Sequence, residues 1–227
     1  MLCSIYSLEI LYKKYASNSR LSFLCVPLER SEKGMEYFMK ESMEFTYRKA
    51  EYCDIIDIAK LVTDLLGTCN LNLNKSILEN NIDSISKDIN NYYVCLYNNK
   101  VIGACGLSDV IKKDRYNLKL ENIREILYFV VNKKYQGLGI GTKLLNMCSN
   151  ESKENIIYEA WGDNGKYVNS KFVLERCGYK LYKDLGKNYY KSHNYCNECV
   201  NRYKECDECL AQIWIKQNNY KGTEING

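Results

Sequence analysis

The spacing of apolar residues predicts alternating strands and helices from about residue 45 onward. In Tyr52–Leu66 apolar residues recur every three or four positions, as on one buried helix face, and Gly67 ends the run. Ile77–Ile89 is a second, weaker helical stretch. Short apolar or alternating runs predict five strands, at Phe45–Lys49, Tyr92–Tyr97, Val101–Leu107, Glu125–Val131 and Ile156–Trp161.

The later part of the chain continues the same alternation. The patterns predict helices over Thr142–Ser149 and Val168–Arg176, and a last hairpin that begins at Tyr179–Tyr182 and returns toward Tyr189. The predicted order is strand, helix, helix, three strands, helix, strand, helix, strand. This order indicates a mixed α/β layered sheet of about 150 residues.

Composition and charge narrow the class of protein. Of 227 residues, 46% are hydrophobic and 26% charged, an ordinary globular balance. No apolar run approaches the ~20 residues of a membrane span. Met1–Ser7 lacks the basic start of a secretory signal. A net charge of +4 is too small to indicate nucleic-acid binding. We therefore expect a cytoplasmic protein that contacts neither membrane nor nucleic acid.

We predict three parts along the chain. Residues 1–43 form an N-terminal extension of unclear role, because residues 1–34 precede every recognisable element. Residues 44–192 form the α/β domain. Residues 193–227 form a small cysteine-rich tail, and Ile213–Ile215 is expected to dock this tail onto the sheet.

The twelve cysteines fall into two groups. Eight are scattered through predicted elements and the extension, where single cysteines behave as small buried hydrophobes. A reducing compartment fits this distribution. The other four make two CxxC pairs with six residues between them: Cys196, Cys199, Cys206 and Cys209. Four thiolates complete a tetrahedral structural metal site. We expect zinc; an iron–sulfur cluster, disulfides and free thiols are the alternatives.

The stretch from Gln136 to Lys143 places glycines between a strand and a helix. Glycine lets the backbone approach a ligand closely, and a helix start attracts anions, so this arrangement suits a phosphate or pyrophosphate. A dinucleotide-binding GxGxxG that begins at Gly137 fails, because Thr142 stands where its third glycine belongs. A Walker loop fails because Gly141 is followed by Thr142 and then Lys143.

The loop does fit the pattern [Gln/Arg]-x-x-Gly-x-[Gly/Ala] at Gln136, Gly139 and Gly141. It resembles the central motif of the GCN5-related N-acetyltransferase (GNAT) family. Lys171–Tyr179 is similar to that family's closing helix, which ends in a Gly-aromatic pair, and the segment from Arg48 resembles its opening strand and helix. The resemblance covers roughly residues 45–190. It implies a mostly antiparallel central sheet flanked by helices, and acetyl-CoA as the cosubstrate.

The resemblance also implies site residues. The expected acetyl-CoA contacts are Phe129, Val131, Gln136, Gly137, Leu138, Gly139, Ile140, Gly141 and Thr142. Glu125 matches the glutamate that acts as base in the histone-acetylating members, with Glu121 as a second candidate. A strand-end carboxylate paired with Arg124 or a lysine is the alternative for Glu125. Leu174 stands where the family often places a proton-donating tyrosine, so the general acid is open among Tyr128, Tyr158 and Tyr167.

The leading hypothesis is an N-acetyltransferase. Its acceptor is a primary amine, on a small molecule or on a protein N-terminus or lysine, which attacks the thioester directly. A covalent intermediate on Cys148 or Cys177 is a lesser alternative. The competing hypothesis is a non-catalytic acyl-CoA-binding sensor or adaptor with a metal-stabilised interaction tail. The oligomeric state is open, and a dimer is compatible with the sequence.

Overall fold

A computed structural model describes residues 43–67, 72, 74–109, 120, 122–163, 165–192, 199 and 208–217. All but the first of these residues belong to one compact unit, Glu44–Gly227. Its strands are β1 Thr46–Lys49, β2 Tyr92–Tyr97, β3 Lys100–Leu107, β4 Ile123–Val131, β5 Asn155–Gly162, β6 Lys180–Lys187 and β7 Leu210–Lys216. Its helices are α1 Ile55–Leu65, α2 Ile77–Asp88, α3 Ile140–Asn150, α4 Lys171–Arg176 and α5 Tyr189–Ser192.

The strands form one seven-stranded sheet in the order β1-β2-β3-β4-β5-β7-β6. Every neighbouring pair is antiparallel except β4 and β5. That parallel pair is short, since only Ile123, Arg124 and Glu125 of β4 face partners on β5. Beyond Glu125 the two strands separate. The sheet is therefore continuous at one end of β4 and open at the other.

The two faces of the sheet have different covers. Helices α1 and α2 pack on one face through buried residues such as Ile58 and Ile85, together with Tyr128 and Val130 of β4. Helices α3 and α4 pack on the other face, where Leu144 lies in the largest apolar cluster. Ile123, Ile157, Ile213 and Ile215 form a third, small cluster of buried residues. Apolar cores thus cover both faces of the sheet. The opening between β4 and β5 lies in the sheet itself, between these two cores.

The predicted fold class is confirmed: a mixed, mostly antiparallel sheet is flanked by helices in the predicted order. The observed starts of two helices differ from the predicted starts. Helix α3 begins at Ile140, inside the glycine loop, and α4 begins only at Lys171. Within the described part, no helix combines the length and the apolar character needed to cross a bilayer.

The predicted last hairpin is wrong. Lys180–Lys187 is one strand, and its sheet partner is β7 rather than a segment near Tyr189. The β7 strand lies in the range assigned to the tail, so Ile213–Ile215 does more than dock: it runs inside the sheet between β5 and β6. The pattern of the sequence misled here because β7 pairs with strands that lie far from it along the chain.

A partly buried ion pair, with Asp54 buried and Arg48 half-buried, joins β1 to the start of α1. Arg48 donates two hydrogen bonds to the Asp54 carboxylate, at 2.6 and 3.0 Å, and the Glu51 amide donates a third at 2.8 Å. Burial by itself would raise the pKa of Asp54, but these hydrogen bonds outweigh it and lower the pKa. The charged form of Asp54 therefore stabilises the folded state.

We expect Asp54→Asn to lower the free energy of unfolding by about 1–3 kcal/mol at neutral pH, because Arg48 loses its charged partner. Since the folded-state pKa is lowered, this stabilisation is present above the unfolded pKa of about 3.9 and is lost as pH falls. Urea unfolding at several pH values measures both effects. Asp83→Asn, at an exposed ion pair with Lys75, is the control and should leave stability unchanged. An equal loss at all pH values would contradict the assignment.

Candidate functional site

The glycine loop adopts a conformation that only glycine accepts easily. Gly137 and Gly139 have φ of 79° and 78°, in the left-handed region. A Cβ atom added at either residue would meet no heavy atom within 4 Å. The glycines are therefore required by the path of the backbone, and open space lies beside them.

The start of α3 presents unpaired donors to that space. Gly139 is the residue before the helix, and its carbonyl accepts the first helical hydrogen bond, from Lys143 N at 3.1 Å. The amides of Ile140, Gly141 and Thr142 precede this bond and have no acceptor within the helix. Their N–H groups and the helix dipole favour a negative charge at this end. The loop can hold a phosphate.

The side chains of the predicted contact residues differ in how they can contribute to binding. Ile140 is buried and Leu138 is half-buried against the same core, so these two offer only their backbones to a ligand. The exposed Gln136 donates from Nε2 to the Val131 carbonyl at 2.9 Å, which ties the loop to the end of β4. A Cβ at Gly141 would lie 3.2 Å from Cζ of Phe129, so even an alanine there would require the ring to shift by a few tenths of an ångström.

The edge of β4 that faces the opening carries backbone donors. Asn132 N donates to Ile102 O of β3 at 2.8 Å. Because amide direction alternates along a strand, the amides of Val131 and Phe129 point away from β3. The parallel pairing with β5 ends at Glu125, so these two amides line the opening. The structure thus brings Phe129 and Val131 together with the glycine loop, along one groove.

Aromatic rings close the α3 side of this opening. The rings of Phe129 on β4 and Tyr158 on β5 lie 6.1 Å apart in an edge-to-face arrangement. Both rings are half-buried against the cluster that includes Leu144 of α3. A ligand that runs between β4 and β5 would contact them.

Glu125 lies where β4 and β5 separate. Its backbone is held on the β3 side, since Glu125 N donates to Ser108 Oγ and Ser108 N donates to Glu125 O, both at 2.8 Å. Glu125 shares a sheet face with Ile123, two residues earlier, and this face is opposite to that of Ile126 and α3. Arg124 donates from Nε to Ser108 O at 2.6 Å. Glu121 lies outside the described residues.

The tyrosine candidates for a general acid are in different positions. Tyr128 is buried and donates to Oδ1 of Asn81 at 3.0 Å, on the α2 side of the sheet. Tyr158 faces the opening, as described above, and Tyr167 is 40% exposed beside Phe172. Leu174 is completely buried and has no proton to give. Of the three, Tyr158 alone has its ring against a residue of the groove.

The cysteines named for a covalent intermediate are core residues. Cys148 is completely buried and donates from Sγ to Cys105 O at 3.1 Å. Cys177 is also buried, and burial raises its pKa. A nucleophilic cysteine needs an exposed thiolate, so neither position suits that role. Cys95 and Cys105 are buried as the pattern predicted, whereas Cys53 is exposed.

Sequence reasoning missed one acidic residue beside the opening. Glu159 of β5 accepts a hydrogen bond from Tyr190 Oη at 2.8 Å. Its neighbours Tyr158 and Ala160 pack on the α3 side, so Glu159 points to the other face, the one that carries Glu125. Alternation along β5 could have placed Glu159 on this face; the contact with Tyr190 had no signal in the sequence.

The predicted metal site is only partly within the described residues. Cys199 pairs with Gly67 in an isolated antiparallel bridge, and Cys209 is buried just before β7. Cys196 and Cys206 lie outside the part of the chain that the structure describes. Among the residues it does describe, no group of three or more His, Cys, Asp or Glu side chains is arranged to hold a metal ion.

The sequence matches a known domain family, described as "Acetyltransferase (GNAT) domain", over residues 88–195. No curated protein matches the sequence of this chain. The matched range begins at the end of α2 and runs through α5, so it contains the groove and the glycine loop but stops before β7. The match therefore covers the part of the chain in which the groove and the glycine loop lie.

Solved structures share the fold at low sequence identity. YncA from Salmonella typhimurium, solved with acetyl-CoA, is 15% identical, with a TM-score of 0.56 over 81% of this chain and 99% of that one. The loading GNAT-like domain of CurA from Lyngbya majuscula is 13% identical, with a TM-score of 0.53 over 75% and 96%. A protein from Pyrococcus horikoshii is 17% identical, with a TM-score of 0.50 over 78% and 100%. The chain has the GNAT fold.

Proposed function

We propose that this protein is an N-acetyltransferase that moves the acetyl group of acetyl-CoA to a primary amine. The observation that carries the proposal is the continuous path from the glycine loop along the open edge of β4 to Glu125. The loop offers an anion site at the start of α3, and the edge offers amides at Phe129 and Val131. Acetyl-CoA has a pyrophosphate at one end and an amide-containing arm that leads to the thioester at the other. The two ends of the path fit these two parts.

Each predicted contact has a part in holding acetyl-CoA. The amides of Gly137, Gly139 and Gly141, with those of Leu138, Ile140 and Thr142, receive the pyrophosphate. Gln136 keeps the loop against β4 through its bond to Val131. An amide of Phe129 or Val131 donates to the thioester carbonyl and stabilises the negative charge that develops there.

The reaction itself is direct attack. The amine nitrogen bonds to the carbonyl carbon, the carbon–sulfur bond breaks, the amine loses one proton and the thiolate leaves to become the free thiol. A lysine amine must first be deprotonated, at a cost of about 4.6 kcal/mol at pH 7, against about 1 kcal/mol for an α-amine. Glu125 is assigned as the base that accepts this proton through water. The acceptor is an amine on a small molecule, a protein N-terminus or a lysine.

One observation favours a second candidate function. Leu174 gives the leaving thiolate no proton, which suits a domain that binds acyl-CoA as a sensor or adaptor without turnover. A CoA thiol is a fair leaving group by itself, and the path to Glu125 has no purpose in a sensor. Turnover therefore remains the stronger interpretation.

A turnover screen separates the two functions. Purified full-length protein is mixed with acetyl-CoA and with amino acids, polyamines, aminoglycosides or peptides, and the released thiol and the acetylated amine are measured. We expect stoichiometric thiol and acetylated product with at least one class of amine. Binding of acetyl-CoA by calorimetry without turnover of any amine would instead support the sensor.

We further propose that Cys196, Cys199, Cys206 and Cys209 bind one structural zinc ion. Four thiolates leave no open position for water, so this metal takes no part in acetyl transfer. The first described member, Cys199, lies against the end of α1 at Gly67, and the last, Cys209, lies at the start of β7. A metal bound by all four would hold the connection between β6 and β7 at a fixed length.

Elemental analysis of protein purified without added metal should give about one zinc per chain and no visible absorption. Cys199→Ser and Cys209→Ser should each lower the zinc content strongly. Cys53→Ser, which removes an exposed cysteine elsewhere, should leave it unchanged. A brown protein that contains iron would show that the four cysteines bind an iron–sulfur cluster rather than zinc. Protein that contains neither metal would contradict the proposed site.

A further inference from the structure

A carboxylate and a phenol meet beside the opening between β4 and β5. Tyr190 donates from Oη to Oε1 of Glu159 at 2.8 Å, and both residues are half-buried. A carboxylate offers about four acceptor positions, so a hydrogen bond from one phenol is compatible with a further contact to a ligand. The partial burial strengthens any interaction of the carboxylate with a positive charge.

The position of Glu159 relates it to Glu125. Glu125 pairs with Ile157 across the parallel strands, and Glu159 lies two residues further along β5, in the direction in which the strands separate. With a rise of about 3.3 Å per residue and about 4.8 Å between strands, the two Cα atoms are at least about 8 Å apart. Both side chains lie on the face opposite to α3. An acceptor that approaches from this face therefore meets both carboxylates.

The position of Tyr190 is set at the point where the segment that connects β6 and β7 leaves the sheet. Tyr190 belongs to α5, which follows β6 directly. Asn188 N donates to Cys209 O at 2.8 Å and closes the two ends of the connection, and Lys187 pairs with Leu210 next to it. The ring of Tyr189 lies 5.4 Å from that of Tyr190. Tyr190 is thus positioned by the sheet and not by a free loop.

We propose that Glu159 contacts the acceptor amine, and that Tyr190 is a positioning residue that orients the Glu159 carboxylate. This inference rests on the proposed acetyltransferase function. In that function the thioester and cofactor occupy the groove and its α3 side, so we infer that the acceptor arrives from the opposite face, which carries Glu125 and Glu159. A primary amine reaches that face as an ammonium ion, and a carboxylate accepts a charge-assisted hydrogen bond from it. The substrate class is a cationic primary amine.

The roles of the two carboxylates differ. Glu159 binds the ammonium group and makes no covalent bond, whereas Glu125 takes the proton before attack. Because Tyr190 contacts Glu159 and is assigned no contact with the amine, its effect on the reaction should pass entirely through Glu159. If Tyr190 had only a structural role, the effect of changing it would not depend on Glu159.

The experiment compares Glu159→Gln, Tyr190→Phe and the double variant. Full-length protein is assayed with acetyl-CoA and with lysinamide, glycinamide, spermidine and n-propylamine as probe amines. For the amines that wild type acetylates, we expect Glu159→Gln to lower kcat/KM for the amine about 10- to 100-fold. Tyr190→Phe should lower it about 3- to 10-fold. The KM for acetyl-CoA should stay within about twofold of wild type in both variants.

The double variant is the deciding measurement. If Tyr190 acts through Glu159, adding Tyr190→Phe to Glu159→Gln should cause no further loss. Additive losses would show that Tyr190 has a separate, structural role and would overturn its assignment. Tyr52→Phe, at a 72% exposed tyrosine before α1, and Glu175→Gln, at an exposed position of α4, make the same chemical changes away from the pair and should retain wild-type rates.

The outcomes also separate this inference from the proposed function. If wild type acetylates a probe amine and Glu159→Gln retains its kcat/KM, the acceptor contact is wrong while the function stands. If wild type binds acetyl-CoA but acetylates neither these probes nor any amine of the turnover screen, both the proposed function and this inference fail. Circular dichroism of each variant confirms that a lost rate does not come from unfolding.

Discussion

Replacing Gly139 by glutamate is expected to abolish acetyl-CoA binding, with a loss of affinity of at least about 100-fold by calorimetry. The residue has a φ of 78° and precedes the first free amides of α3. A glutamate there puts a side chain into the space beside the loop and a negative charge where the pyrophosphate belongs. Bulk and like-charge repulsion act in the same direction, so the effect should be large.

The control for this change is Gly186→Glu. Gly186 lies in β6, has a φ of 86°, and a Cβ added to it would also meet nothing within 4 Å. The backbone strain and the added charge are therefore matched, but the glycine loop is untouched. We expect Gly186→Glu to bind acetyl-CoA as wild type does. Unchanged affinity in Gly139→Glu would remove the loop from the binding site.

Glu125→Gln should retain acetyl-CoA binding and lose turnover. Glutamine keeps the shape of the side chain but cannot accept a proton, so kcat for a lysine-like acceptor should fall roughly 10²- to 10⁴-fold. The loss should be smaller for acceptors with an α-amine, because such an amine has a pKa of about 7.8 and needs less help to become neutral. Steady-state kinetics with one acceptor of each kind measures this difference.

Glu175→Gln on the exposed face of α4 is the matched control for the base as well. It makes the same chemical change on the far side of the sheet and should leave kcat unchanged. Turnover of Glu125→Gln within a few-fold of wild type at every pH would show that another group accepts the proton.

Local patterns made much of this fold readable from the sequence. The helix over Ile55–Leu65 follows from the spacing of its apolar residues, and the glycine that follows its end, Gly67, has the positive φ typical of a helix stop. The glycine loop was equally readable, because its geometry depends on residues adjacent in the chain. Such features need no knowledge of distant contacts.

Features that depend on pairing across the sheet were not readable. The sequence around Leu210 carries no signal for pairing with β5 and β6, so the pattern predicts a tail where the structure has β7. Register shifts by a bulge where β3 meets β4, so alternation alone does not give the faces of β4 correctly. The role of Glu159 becomes visible only when the phenol of Tyr190, 31 positions along the chain, is placed against it.

The central position of β7 also bears on how the chain folds during synthesis. Among the described strands β6 has β7 as its one neighbour, and Ile156 of β5 pairs with Lys216. Closing so long a stretch of chain costs entropy, and β7 leaves the ribosome after the other described strands. The β4–α3 unit with its glycine loop depends on contacts nearby in sequence and can form early. We therefore expect the glycine loop to take shape first in the nascent chain, and the β5–β7–β6 part of the sheet only when β7 is inserted.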